Sequence, residues 1–133
     1  MHRRAVAVAA LAVALPACYA GIASAAQENS ASIRMREFRF AMPNNLDAGR
    51  TTIIFLNTGE FQHNFTVVSA LGGGRAFKSA TVDGGAQQQK TVNLRPGAYI
   101  AICTVFNGGH LAQGMEKEFT VGQFDQESGE WSP

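Results

Sequence analysis

Residues 94–106 read LRPGAYIAICTVF, and this stretch decides the fold. It opens with Arg95-Pro96-Gly97, a tight-turn signal, because proline presets φ and glycine allows a positive φ. The residues that follow, 98–106, are all apolar, aromatic or β-branched, which predicts a strongly buried strand. Asn107-Gly108-Gly109 then breaks the pattern. A turn, a buried strand and a glycine-rich break in close succession favour an all-β architecture.

The same pattern extends outward in both directions from this strand. Short apolar runs bounded by Gly, Pro and Asn recur about every 10–15 residues, with no helical stripe between them. About seven strands in about 100 residues predict an all-β, Greek-key sandwich. In the first run the apolar residues change phase near Glu37, which predicts a bulge or a switch between sheets. The predicted strands cover residues 32–40, 51–57, 63–69, 87–94, 98–106 and 118–121.

Composition limits the classes of protein that this chain can belong to. It has 133 residues, of which 46% are hydrophobic and 16% charged, with a net charge of +1. The length fits one domain, and the low charge excludes a fully disordered chain. The balanced charge excludes a nucleic-acid binder that works by neutralising phosphates. Two cysteines are too few for a disulfide-dense scaffold.

Residues 1–25 have the layout of a secretory signal peptide. Basic Arg3-Arg4 precede an apolar run over 5–17, and Ala23-Ser24-Ala25 forms a small-residue cleavage site. The apolar run is too short to span a membrane. We therefore expect a periplasmic or extracellular protein without a membrane span; a lipid anchor through Cys18 is the alternative. The domain should cover residues 26–122, followed by a polar, frayed tail over 123–133.

Removal of the signal peptide leaves very few metal-binding side chains. Cys103 becomes the only cysteine, and His63 and His110 become the only histidines. A lone cysteine in an exported protein is a buried inert thiol, an intermolecular partner or a ligand. Six residues separate Cys103 from His110, and four residues separate His110 from Met115. Glycines between them allow the backbone to fold back sharply.

One thiolate, two imidazoles and a thioether form the ligand set of a blue-copper site. Each residue also has an ordinary structural interpretation, Cys103 as a small buried hydrophobe and Met115 as core filler. Their joint order and spacing favour the metal site. Zinc would use Cys103, His63 and His110 too, but a structural zinc site normally has four good ligands, and Met is not one of them. No nucleophile-elbow motif is present, and we expect no enzymatic activity.

These motifs resemble those of the cupredoxins, the family of plastocyanin and azurin. The resemblance covers Ile33 to Val121 and includes the turn before the cysteine strand, although the loop from cysteine to histidine is longer here. It implies a single mononuclear copper ion. The implied roles are equatorial ligation by His63, Cys103 and His110, axial ligation by Met115, and hydrogen bonds from Asn64 that tie the ligand loops together.

The resemblance implies a small exported carrier of single electrons, a monomer that meets its redox partner transiently. His110 would lie on an exposed loop, surrounded by a docking patch of Phe106, Leu111 and Ala112. Two other functions stay open. A periplasmic copper carrier or scavenger would use the same ligands and exchange copper with a donor or acceptor protein. A metal-free β-sandwich interaction module would hold the donor atoms more than roughly 5 Å apart, too far for one ion.

Overall fold

The computed structural model describes residues 27–133, so the predicted signal peptide and Cys18 lie outside the described residues. The elements along the chain are β1 (Asn29–Arg36), β2 (Arg39–Ala41), β3 (Asn45–Leu46), β4 (Gly49–Asn57), β5 (Thr66–Ser69), β6 (Arg75–Lys78), β7 (Gln87–Leu94), β8 (Gly97–Ile102), α1 (Val105–Ala112), β9 (Glu116–Val121), β10 (Gln123–Asp125) and β11 (Glu130–Ser132). The predicted all-β sandwich is confirmed, since within residues 27–133 the one helix is the short α1.

Two sheets form the sandwich. Sheet I has the strand order β2-β1-β4-β7, and sheet II has the order β3-β9-β8-β5-β6. Most neighbours are antiparallel, but β1 runs parallel to β4 and β3 runs parallel to β9. Each parallel pair joins two strands of one sheet that are not consecutive in the chain, because parallel neighbours need a crossover connection.

The core lies between the sheets because the strands alternate inward and outward residues. In β1, Ile33 and Met35 are fully buried, whereas their neighbours Arg34 and Arg36 are exposed. At the centre, the Phe65 ring contacts rings from both sheets. Its centroid lies 5.1 Å from Phe40, 5.5 Å from Phe55 and 6.3 Å from Phe119. Phe65 directly follows His63-Asn64 in the chain, so its packing anchors them to the interior.

The bulge or switch between sheets that we predicted near Glu37 is wrong, because the phase change there comes from a turn within sheet I. The chain reverses over Glu37-Phe38, so β1 and β2 pair antiparallel with Arg36 opposite Arg39. Met35 and Phe40 therefore face the same core from the two arms of one hairpin. The apolar residues change phase because the strand direction changes.

Several other sequence predictions differ from the structure. The strand predicted over 98–106 ends at Ile102, because Val105–Ala112 folds into α1. Strands β3 and β6 were not predicted, since both are very short. The frayed tail predicted over 123–133 is wrong, because β10 and β11 pair as a hairpin with the Phe124 ring 5.1 Å from the Trp131 ring. In residues 27–133, no helix has the length and apolar character needed to cross a membrane.

Candidate metal centre

Each candidate ligand is placed by backbone hydrogen bonds at one end of the sandwich. His63 exchanges two of them with Val82, from His63 N–H at 3.1 Å and from Val82 N–H at 2.8 Å. Cys103 comes directly after β8, and its N–H donates to the Met115 carbonyl at 3.2 Å. Met115 N–H in turn donates to the His110 carbonyl at 3.0 Å. Met115 is fully buried and ties both neighbouring candidate ligands through its own backbone.

The donor atoms of His63, Cys103 and His110 converge on one buried point. The two Nδ1 atoms lie 3.0 Å apart. Cys103 Sγ lies 3.6 Å from His110 Nδ1 and 3.9 Å from His63 Nδ1. All three side chains are buried, so the cluster is screened from water. The divergence that a metal-free module predicts is absent from this cluster, since every separation is below roughly 5 Å.

These separations fit a single metal ion. With bonds of about 2.0 Å to nitrogen and about 2.3 Å to sulfur, they correspond to angles of about 97°, 114° and 130° at one centre. Such angles describe a flattened three-donor set that leaves one side open to a fourth, weaker ligand. A soft sulfur with two imidazole nitrogens suits copper in both of its common oxidation states. The residues present therefore fit a mononuclear copper ion.

Asn64 connects the chain segments that carry His63 and Cys103. Its backbone N–H donates to Cys103 Sγ at 3.5 Å. Its side-chain oxygen accepts from Thr104 N–H at 3.0 Å, and its amide nitrogen donates to Thr104 Oγ1 at 3.1 Å. The buried amide thus fixes the distance between the histidine and cysteine segments.

The sequence analysis missed Glu37, whose carboxylate contacts the outer nitrogen of His63. His63 Nε2 lies 3.3 Å from Glu37 Oε1, and that oxygen also accepts the backbone N–H groups of Glu60 and Phe61, each at 2.8 Å. These amides, that of Phe61 first, lower the pKa of Glu37 to about 2. The carboxylate therefore stays ionised and accepts a hydrogen bond from His63 Nε2–H. This tautomer leaves the Nδ1 lone pair of His63 free for a metal.

Burial sets the protonation state of the two imidazoles. Removal from water lowers the pKa of His63, and the hydrogen bond to Glu37 opposes this only in part. The same desolvation lowers the pKa of His110. Both rings are therefore neutral at pH 7, and neutral imidazole is the form that binds metals.

Acidification is expected to destabilise the metal-free protein between pH 7.5 and 5.5. Because both histidines have lowered pKa values when folded, the unfolded chain binds more protons once the pH falls below about 6.5. The free energy of unfolding should fall by up to about 1.4 kcal/mol per histidine for each pH unit in this window. Thermal unfolding at the two pH values measures the effect, and the H63Q/H110Q variant should lose most of it. A melting temperature that rises on acidification would contradict this account.

The connection between Cys103 and Met115 folds differently from the exposed loop that the sequence predicted. Phe106, Asn107 and Gly108 adopt left-handed backbone angles inside α1, which lets the short helix fold back over the cluster. His110 is consequently only 5% exposed, so its predicted position on an exposed loop is wrong. Its ring is enclosed by aromatic neighbours, with centroids 5.0 Å from Phe38, 5.1 Å from Phe106 and 6.3 Å from Phe61.

The surface above the cluster is apolar. Phe61 is 52% exposed and Phe106 is 64% exposed, although both contact His110. Of the predicted patch, Leu111 is half-buried and Ala112 is exposed. The His110 ring thus lies between the buried donors and an exposed aromatic surface.

Solved structures with the same fold include a copper protein and a cupredoxin. Auracyanin A, titled a "blue" copper protein from Chloroflexus aurantiacus, matches with a TM-score of 0.59 and 22% identity over 72% of this chain and 100% of that one. Rusticyanin from Thiobacillus ferrooxidans matches with 0.53 and 15% identity over 73% and 79%. A purple cupredoxin from Nitrosopumilus maritimus matches with 0.50 and 20% identity over 69% and 99%. No protein-family model and no curated protein matches the chain.

Proposed function

We propose that this chain, which has the cupredoxin fold, holds one copper ion and carries single electrons. The observation that carries the proposal is the buried convergence of one thiol and two imidazole nitrogens within 3.0–3.9 Å. His63, Cys103 and His110 would hold the ion, and Met115 would lie on its open side. Copper supplies a reversible one-electron change between its Cu(II) and Cu(I) forms.

The candidate ligands suit this role because hydrogen bonds hold them in fixed positions. The His63 backbone is fixed to Val82, the Asn64 amide joins the histidine and cysteine segments, and Glu37 orients the His63 ring. Donors that are held in place before and after the electron moves need little rearrangement, which keeps the barrier to transfer low. The buried shell also excludes water, which would otherwise reorganise around each change of charge.

His110 offers the route by which an electron would leave or enter. Its ring touches the buried cysteine on one side and the aromatic surface of Phe61 and Phe106 on the other. A partner that covers this small surface would come within contact distance of the His110 neighbours. Interfaces of this kind are small and transient, as repeated electron exchange requires. We propose an exported monomer, given the signal-peptide pattern of residues 1–25.

Burial favours electron transfer over copper delivery. A delivery protein has to release its ion to an acceptor, whereas the donors here are buried and tied by hydrogen bonds on each side. Release would require α1 and its attached loop to move away from the cluster. A copper carrier or scavenger would have to exchange its copper ion rapidly with another protein. The packing around these donors opposes such an exchange.

Copper loading followed by redox cycling tests the proposal. Metal-free protein is titrated with Cu(II) while visible absorption and electron paramagnetic resonance are recorded, and then cycled with ascorbate and hexacyanoferrate(III) beside a Cu(I) chelator. We expect one ion per chain, an intense thiolate-to-copper absorption band and retention of copper through repeated cycles. Rapid loss of Cu(I) to the chelator would favour copper delivery. Absence of the band would overturn the metal centre itself.

A further inference from the structure

Three exposed arginines stand together on the outer face of sheet I. Arg34 and Arg36 point outward from β1, whose alternate residues are buried in the core. Arg39 points outward from β2 and lies directly opposite Arg36 in the strand register. We refer to Arg34, Arg36 and Arg39 as the arginine cluster.

The arginine cluster adjoins the candidate metal centre. The two residues between Arg36 and Arg39 form the turn that touches the ligands: the Glu37 carboxylate contacts His63, and the Phe38 ring lies 5.0 Å from the His110 ring. The inward side of this hairpin tip therefore contacts His63 and His110, and its outward side carries the positive charges of the arginine cluster. Any molecule held by the arginines would stand beside the candidate centre.

Within the part of the chain that the structure describes, the positive charges of the arginine cluster are not neutralised by ion pairs. The ion pairs there are Arg50–Glu28 and His63–Glu37, so none of the three arginines has a carboxylate partner. The four strands of sheet I contain no Asp or Glu at all. Two like charges placed directly opposite each other cost stability, so Arg36 and Arg39 are not there to strengthen the hairpin.

The strands of sheet II have no comparable cluster of one charge sign. In sheet II, Phe119 and Val121 of β9 are buried, so Glu116 and Glu118 face outward, opposite Ile102 and Ile100 of β8. Sheet II also carries Arg75 and Lys78 on β6 and Lys117 on β9, so its acidic residues are mixed with basic ones. The two sheets thus present one cluster of a single charge sign, the arginine cluster beside the metal centre. Such an asymmetry orients a charged partner during its approach.

We propose that the arginine cluster docks an acidic protein, the electron donor or acceptor of this chain; this inference rests on the proposed function. The arginine guanidinium binds carboxylates with two parallel hydrogen bonds, which suits Asp and Glu side chains on a protein surface. A membrane surface is a poorer fit, since basic segments that bind anionic lipids have about 4–8 cationic residues. An acidic partner docked here would also reach the exposed rings of Phe61 and Phe106.

Binding of poly-L-glutamate to the metal-free protein tests the docking site. At low ionic strength, the R34Q/R36Q/R39Q variant should bind the probe about tenfold more weakly than the unmodified protein, as the loss of three exposed ion pairs predicts. The control R50Q/R75Q/R95Q removes the same charge from exposed arginines elsewhere, and should bind within about twofold of the unmodified protein. Circular dichroism confirms that both variants fold. Equal weakening in the two variants would show a net-charge effect and overturn the proposal.

A second probe separates a protein partner from a membrane. Vesicles of phosphatidylcholine with anionic phosphatidylglycerol should not bind the protein. If they bind the unmodified chain but not R34Q/R36Q/R39Q, the proposal is overturned in favour of a lipid surface. Both measurements use metal-free protein. A failure to bind copper would therefore leave this result intact, and a failure here would leave the copper proposal intact.

Discussion

Replacing Cys103 with serine is expected to abolish the intense visible absorption of the copper-loaded protein. The thiolate supplies the soft donor and the charge-transfer band, and a serine hydroxyl supplies neither at neutral pH. Copper affinity should fall by more than about 100-fold, beyond the 10–100-fold cost of losing an outer hydrogen-bond partner. Absorption spectroscopy and competition with a chelator of known affinity measure the two effects.

The control for this variant is Ala101→Ser. Ala101 is buried on the same inward face of the chain, two residues before Cys103, so this change also places a hydroxyl in the interior but leaves all candidate ligands intact. The A101S protein should keep the absorption band at full intensity. Thermal unfolding of both variants without metal separates a loss of ligation from a loss of fold. Equal copper binding by C103S and the unmodified protein would show that Cys103 is not a ligand.

Met115→Leu isolates the contribution of the thioether. The change preserves volume in a fully buried position and leaves the backbone hydrogen bonds to Cys103 and His110 available. If Met115 is a weak axial ligand, the absorption band should persist while the reduction potential changes, since the axial ligand tunes that potential.

Sequence was enough to identify the convergent donors because they lie beside strong local signals. Cys103 directly follows the apolar strand β8, His63 leads into a buried strand, and Gly108-Gly109 precede His110. The strands next to His63 and Cys103, β5 and β8, pair in one sheet, so the chain ends beside them lie close together. The distances between the donor atoms agree with this expectation. The burial of His110 was not predictable in this way, because it depends on left-handed residues that turn a glycine-rich break into a folded-back helix.

The contact of Glu37 with His63 and the hairpin in the tail were not predicted from the sequence. Glu37 lies 26 positions before His63, and its role depends on a turn that looked like a phase change in one strand. The hairpin had a usable signal: Asp125 accepts N–H groups of Glu127 and Ser128, and Gly129 has a positive φ of 72°. The polar composition of the tail outweighed that signal, although Phe124 and Trp131 were spaced to pair across the turn.

Replacing Glu37 with glutamine is expected to weaken copper binding about 10–100-fold, the usual cost of removing a carboxylate behind a ligating histidine. The amide fills nearly the same volume but has no charge, so it no longer fixes the proton of His63 on Nε2. Loss of a negative charge beside the centre disfavours Cu(II) more than Cu(I). The reduction potential should therefore rise, by about 59 mV for each tenfold of affinity lost by the oxidised form alone.

Glu60→Gln is the matched control for charge. Glu60 belongs to the same loop and is exposed, and within residues 27–133 its carboxylate has no hydrogen-bond partner. The E60Q protein loses the same charge near the centre but keeps the Glu37–His63 contact. Equal shifts in E60Q and E37Q would mean that net charge near the site, and not the contact with His63, sets the potential.

Gly59→Ala tests the contact without any change of charge. A Cβ at this position would collide with the Glu37 carboxylate, which ends a flexible side chain and can move aside. Displacement breaks the hydrogen bond to His63 but retains the negative charge nearby. We therefore expect G59A to lose copper affinity as E37Q does, with a smaller rise in potential. Unchanged copper affinity in both G59A and E37Q would show that the Glu37 carboxylate does not orient the His63 ring. The hydrogen bonds between His63 and Val82 and the neighbouring side chains would then be sufficient.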